Sequence, residues 1–232
     1  MARKEKVKRE QTTGHDVNHH DLWNYERSVV GDLSPGLVAG VDEAGRGALA
    51  GPVYAAAVVL GGVPDDWQGI KDSKLISRKK RELLYDLIRS RALAVGVGVA
   101  NLEEIDRLNI LHASRTAMGR AIHNLPVAAG FVLVDGTYLP LYPSGFSSPG
   151  LAIVDGDAKC ISIAAASIVA KVERDRHMEE LGHLYPHYGF DRHVGYGTSQ
   201  HLAMLRQYGP SPCHRNTFGP VKESEQLRLG VL

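Results

Sequence analysis

The segment Gly36 to Val41 is uncharged and apolar, and it runs straight into Asp42-Glu43-Ala44-Gly45-Arg46-Gly47. A short apolar run bounded this sharply reads as a buried strand, so the fold must deliver two adjacent carboxylates at a strand end. Carboxylates placed there can ligate hard cations such as Mg²⁺ or Mn²⁺. The glycines let backbone approach a ligand closely because no Cβ intervenes, and Arg46 offers a donor fork suited to phosphate. Together these groups point to phosphodiester chemistry. Taken by itself, the heptad is equally compatible with a charged β-turn.

The rest of the chain supplies the sheet in which such a strand would sit. Leu37 to Asp42 and Pro52 to Leu60 read as two strands whose short, glycine-bearing link favours antiparallel pairing. Leu93 to Ala100 is a third strand, Phe131 to Val134 a fourth and Leu151 to Val154 a fifth. Asp21 is placed to cap a short helix through Val29 or Val30. Ser77 is placed to cap another through about Arg91, with Leu83, Leu84, Leu87 and Ile88 on one face. Asn101 and Glu104 have capping-box spacing and open a helix expected to reach His123 or Asn124. Ile161 to Leu181 carries a small-residue face (Ala164, Ala165, Ala166, Ala170) suited to close packing on a sheet, and Gln200 to Tyr208 reads as a last helix. Strands followed by alternating helices and strands predict an α/β layered domain with a mixed sheet. Residues 1–20, polar and without apolar periodicity, are expected to be a flexible arm, and the tail after Pro220 carries no signal.

Length and composition set the outer bounds. The 232 residues, with 44% hydrophobic and 23% charged, suffice for one substantial globular core. Cys160 and Cys213 are too few for a disulfide framework and lack zinc-ligand spacing, and His19 and His20 show no metal-site spacing either. No apolar run reaches transmembrane length, and no apolar segment follows the basic N-terminal residues as a secretion signal would require. A cytoplasmic protein with no membrane partner is expected. A net charge of +1 neither predicts nor excludes nucleic acid, because binding depends on where charge sits.

Asp42, Glu43, Asp135 and Asp157 share one setting: each stands at or just past the end of an apolar strand. Their convergence would make one acidic cluster, and divalent cations would relieve its mutual repulsion. Four carboxylates can serve two metals about 3.5–4 Å apart, one activating water and the other stabilising the leaving oxygen. Neighbouring strand residues point to opposite faces, so Asp42 and Glu43 are expected to converge by a bend or an end of the strand there. Asp155, two residues from Asp157, is the less favoured ligand.

These residues resemble the type 2 ribonuclease H family, specifically bacterial ribonuclease HII. The resemblance runs from about Asp21 to Val221, through VAGVDEAGRGALAGPV, KDSKLIS, EEIDRLNILHAS, FVLVDG, GDAKCISIAAASIVAKVERDR, YGFDRHVGYGT and HRNTFGPV. It implies a ribonuclease H-like fold, a five-stranded mixed sheet flanked by helices with a small helical C-terminal portion. The implied layout is a catalytic domain over 21–182 and a substrate-contacting segment over 183–232. It also implies metal-dependent hydrolysis of RNA in RNA–DNA hybrids and cutting 5′ to a single ribonucleotide in duplex DNA, leaving 3′-hydroxyl and 5′-phosphate ends.

The carboxylates carried over are Asp42, Glu43, Asp135 and Asp157, with a two-metal Mn²⁺ or Mg²⁺ site. Gly45, Arg46 and Gly47 resemble the family's sensor of the ribose 2′-hydroxyl, a group that donates and accepts. Tyr196 matches the tyrosine that packs on the following deoxyribose, and Lys74 resembles a phosphate-contacting lysine. Lys171, Arg174 and Asp175 read as structural, whereas His214 and Arg215 suit substrate or structural roles equally. The pattern departs at Val194, where relatives often carry lysine; Arg192 is the nearest substitute. A junction resolvase of the same fold would share the acids without needing the glycine–arginine–glycine turn and Tyr196. A hybrid-binding protein without activity would not need all four carboxylates. A monomer is the default expectation.

Overall fold

The computed structural model describes residues 18–31 and 38–230. They form one mixed five-stranded sheet in the order β3-β2-β1-β4-β5, with β1 (Val38–Ala44) in the middle. On one side, β2 (Val53–Val59) and β3 (Ala94–Ala100) follow as an antiparallel meander. On the other side, β4 (Phe131–Asp135) and β5 (Gly150–Ile153) run parallel to β1. The short link to β2 permits only an antiparallel return, whereas the chain takes a long helical crossover before reaching β4.

Strict alternation along the strands gives the sheet two buried faces. Ala56 and Val58 pack with α2 (Arg78–Arg91) and α5 (Ile161–Leu184), while Ala55 and Ala57 pack with α4 (Ile110–His123). The small residues of α5 let it lie directly on β1. A Cβ at Gly40 would fall 2.0 Å from the carbonyl carbon of Ser162, so only glycine permits that approach. Ser77 caps α2 as expected.

The N-terminal helix α1 (His19–Val30) departs from expectation. Asn18, not Asp21, is its N-cap, and Asp21 closes the capping box by accepting the Asn18 amide. Residues 18–20 therefore belong with the helix, and the rest of the expected arm, 1–17, lies outside the described residues, as does Leu37.

The long helix expected after Asn101 is two helices, α3 (Leu102–Leu108) and α4. Asn109 separates them at φ 66°, and its side chain accepts from the amides of Leu111 and His112, restarting the helix. α5 runs three residues past the expected end, and residues 221–229 of the segment after Pro220 lie in α8 (Gly219–Leu229). Together with α6 (Phe190–His193) and α7 (Ser199–Tyr208), the C-terminal segment packs around Leu49, Ala50 and Met178, against the β1–β2 link and α5.

β1 itself neither bends nor ends at Asp42. Its ladder with β2 continues to Ala44 opposite Tyr54, but its ladder with β4 stops at Val41 opposite Val134. Both carboxylates thus stand on regular strand just past the point where the sheet opens.

Candidate active site

The opening beside β1 is where the acidic side chains gather. Asp42, Glu43 and Asp135 line one cleft with Gly45, Arg46, Gly47, Lys74 and Tyr196. Asp157 does not line it directly. It sits in the 3₁₀ turn Gly156–Ala158, 4% exposed, with its Oδ2 3.1 Å from Lys74 Nζ. The turn is fixed from β4, because Asp135 Oδ1 accepts the Gly156 amide at 2.7 Å. Asp155 occupies a left-handed conformation at φ 54° and is exposed, which takes it out of the group.

Burial pushes the Asp42 carboxyl well above the ordinary range, and the charges of Glu43, Asp135 and Asp157 push it further. Glu43 and Asp135 are also raised, in both cases mainly by burial. The compensating cations come from outside the cluster. Arg46 reaches Glu43 at 3.3 Å and Lys74 reaches Asp157, both from exposed positions. Burial works against the charge on Lys74, but its contact with Asp157 and the charges of Asp72 and Asp42 together outweigh this and raise its pKa.

Buried, mutually repelling oxygen donors form a set that hard divalent cations fit. The carboxylates are not drawn in tightly, however. Among the described residues, His19, His20 and Asp65 are the group whose donor atoms all lie within 4.8 Å of one another. Sequence spacing gives no hint of that surface meeting, since Asp65 is distant in the chain; His20 Nε2 lies 3.0 Å from Asp65 Oδ1.

The glycine–arginine–glycine turn is held from beneath. Gly45 has φ +93°, and a Cβ there would lie 1.8 Å from Arg174 Nε. The fully buried Arg215 guanidinium donates to the carbonyls of Gly45, Arg46 and Gly51. Arg174, equally buried, donates to Ala50, Pro52 and Val194. With those carbonyls turned inward, the amides of Arg46 and Gly47 find no acceptor among the described residues.

The Tyr196 ring stands beside Gly47, its Cε1 3.9 Å from where a Cβ would be, with the Arg174 guanidinium 5.5 Å from the ring centroid. Tyr196 is positioned through its backbone. Its amide donates to His193 O, and its carbonyl accepts from His201 Nδ1 at 3.0 Å.

The histidine network beneath Tyr196 is fully assigned by its partners. His201 donates through Nδ1, so its Nε2 accepts from His214 Nε2 at 2.9 Å; His214 Nδ1 in turn accepts the Ser211 amide. His193 donates to Tyr188 O and accepts from the Gly195 amide. All three rings are neutral in this arrangement. Burial, reinforced by the neighbouring histidines, lowers His201 and His214 to about 4.

Sequence reasoning left Arg215 between two roles and Arg174 as generally structural. Both prove to support the turn and the Tyr196 loop. Their signal in sequence is weak, because an arginine reads as exposed both on a helix and in a polar tail. Lys171 and Arg81 take up Asp175, as its structural reading expects. Val194 sits at φ 43°, a costly conformation for a β-branched residue.

Comparison with known proteins fits this geometry. The family model described as Ribonuclease HII matches residues 39–221. A ribonuclease HII of Dechloromonas aromatica is 55% identical over 195 residues, covering 84% of this chain and 95% of that protein. One from Albidiferax ferrireducens is 53% identical over 201 residues, covering 85% and 93%. In three dimensions the chain is similar to the crystal structure of ribonuclease H2 from Pyrococcus horikoshii, with TM-score 0.66 and 28% identity, covering 82% of this chain and 97% of that one.

Proposed function

The chain belongs to the ribonuclease HII family and is thus an endoribonuclease of the ribonuclease H class; from that premise we propose that it cuts 5′ to ribonucleotides, both in RNA–DNA hybrids and singly embedded in duplex DNA. The observation that carries this reading is the adjacency of the buried acids to the Gly45–Gly47 turn and Tyr196 at one open edge of the sheet.

Asp42, Glu43, Asp135 and Asp157 are the residues that would hold Mg²⁺ or Mn²⁺. When bound, the cations supply an activated water and Lewis-acid stabilisation of the leaving 3′-oxygen. The remaining work falls to the chain's own groups. Lys74 exchanges Asp157 for a substrate phosphate, and Arg46 can exchange Glu43 in the same way. The unpaired amides of Arg46 and Gly47 offer hydrogen bonds to the 2′-hydroxyl, which a deoxyribose lacks. The Tyr196 ring favours a following sugar without that hydroxyl, so the site reads an RNA-to-DNA junction.

The products carry 3′-hydroxyl and 5′-phosphate ends. In this reading residues 21–182 carry the chemistry and 183–232 contact substrate. The protein acts as a cytoplasmic monomer that removes ribonucleotides from DNA. No helix among the described residues is long and apolar enough to cross a membrane.

The test is a duplex with one central ribonucleotide beside an all-DNA control, with Mg²⁺, Mn²⁺ or chelator. A metal-dependent nick only on the 5′ side of the ribonucleotide is expected, nearly abolished in Asp157→Asn. Equal binding with and without metal, and no nick by folded protein, would leave a hybrid-binding protein instead.

A further inference from the structure

We propose that a second cleft, framed by Arg115 and Tyr138, holds the sugar–phosphate flank of the cleaved strand on the 5′ side of the ribonucleotide. The proposal rests on the reading above and names a part of the substrate site that no residue considered so far accounts for.

Two clefts meet at Glu43, Arg46 and Asp135. One carries Tyr196, Lys74 and residues of α5; the other carries Arg115, Tyr138 and Ser114 and is walled by α4. Since α5 and α4 cover opposite faces of the sheet, the clefts open on opposite sides of its rim. Alternation along β1 explains the division, because Asp42 belongs to the α5 side and Glu43 to the α4 side. Glu43 lines the second cleft and Asp42 does not. A strand that places its ribonucleotide at the rim and its following deoxyribose on Tyr196 has the α4-side cleft open to its other flank, because the two clefts share Glu43, Arg46 and Asp135.

The groups waiting there suit nucleic acid. Tyr138 is 53% exposed, and the Arg115 guanidinium lies 5.7 Å from its ring centroid. An aromatic face next to an arginine is the pairing by which proteins hold a strand without reading its sequence. The loop that bears Tyr138 is pinned to α4, since Arg115 Nε donates to Leu139 O at 2.8 Å and the Leu141 amide donates to Arg115 O at 2.9 Å. Tyr138 is therefore presented on a fixed platform, at little ordering cost on binding.

Arg115 has no carboxylate partner among the described residues, so its charge is available to phosphate. Ser114 is among the residues lining the same cleft, and its buried Oγ has no hydrogen-bond partner among the described residues. Positive charge at this point also has a clear use, because an acidic rim repels the phosphates it must approach.

The experiment compares duplexes with one ribonucleotide whose cleaved strand has either a long or a very short 5′ flank, the complementary strand staying full length. On the long flank, Tyr138→Ala should raise KM about tenfold, as loss of one stacking platform does, and Tyr138→Phe should restore it. Arg115→Gln should raise KM and reduce the salt dependence of binding by about one counterion. On the short flank the wild-type KM is already high, and neither variant should lose more. Shortening the 3′ flank instead should add to the variants' loss.

A penalty that is absent, or equal on long and short 5′ flanks, overturns the subsite. Failure of the wild type to nick either duplex overturns the functional reading beneath it, so the two failures are distinguishable.

Discussion

The carboxylate rim and the C-terminal cradle beneath the Gly45–Gly47 turn both bury like charges, and they resolve the repulsion differently. At the rim, Asp42, Glu43 and Asp135 are all harder to ionise than free carboxylates, and the nearest cations, Lys74 and Arg46, reach in from solvent. In the cradle, Arg174 and Arg215 lie fully buried; burial lowers both, and the Arg174 charge helps bring Arg215 down to about 9. No carboxylate pairs with them among the described residues; backbone carbonyls do, and the neighbouring His201 and His214 stay neutral. The repulsion at the rim is not balanced within the protein, whereas the charges of the cradle are met by its own carbonyls. A functional site and its support are thus told apart by whether the charges balance without a ligand.

Replacing one member on each side should separate the two kinds of region. Asp42→Asn is expected to lower the nicking rate by about 10²–10³-fold or more, the scale of losing one group that stabilises developing charge. Its melting temperature should hold or rise, because a buried repulsion is gone. A stability loss comparable to that of a core mutation would erase the contrast. Arg215→Met should show the converse, losing about 3 kcal/mol in urea unfolding as several buried carbonyls lose their donor. Arg215→Lys should recover little of it, since one ammonium cannot reproduce a five-donor fork.

Acid should act on the two regions with opposite signs. His201 and His214 titrate near 4 in the folded state against 6.5 when free, so the unfolded chain binds more protons between those values. Their contribution is intact above about 6.5 and is lost as pH falls toward 4. Asp42 is raised above 3.8, so its burial is easiest when protonated and its penalty grows as pH rises through its folded pKa. In an Asp42→Asn background the cradle's response is exposed, and the urea midpoint should fall between pH 7 and 5. A flat profile would remove the neutral histidines from the account.

The smallest effect is expected from Val194→Lys. It relieves a β-branched residue at φ 43° and adds one phosphate contact, so binding should tighten a few-fold and the salt slope steepen by about one. No change in slope would show that position 194 does not face the substrate backbone.

Much of the rim was legible in sequence because strands announce their ends. Asp42, Glu43 and Asp135 each close an apolar run, and alternation makes the register of such runs readable. Asp157 was readable from its place just past β5, but not that Lys74 would tie it to the cleft. The expected bend or end of the strand at Asp42 was wrong because convergence comes from unequal ladders, which depend on a partner strand about ninety residues away. Asn109 hid a helix break inside a periodic pattern, although asparagine is a ready N-cap and tolerates left-handed backbone. The cradle was least legible of all. Nothing local marks Arg174 or Arg215 as buried, because the carbonyls they satisfy belong to a turn far away in the chain.

The distance spanned by Arg215 has a consequence for how the protein is made. Its guanidinium holds the Gly45 carbonyl across 170 residues. A ribosome will have delivered all four rim carboxylates long before it delivers the residue that fixes the turn beside them. Loop closure over such a span is slow as well as late. While residues 158–214 are being made, then, the growing chain carries all four acidic groups without the arginine that orders the turn beside them.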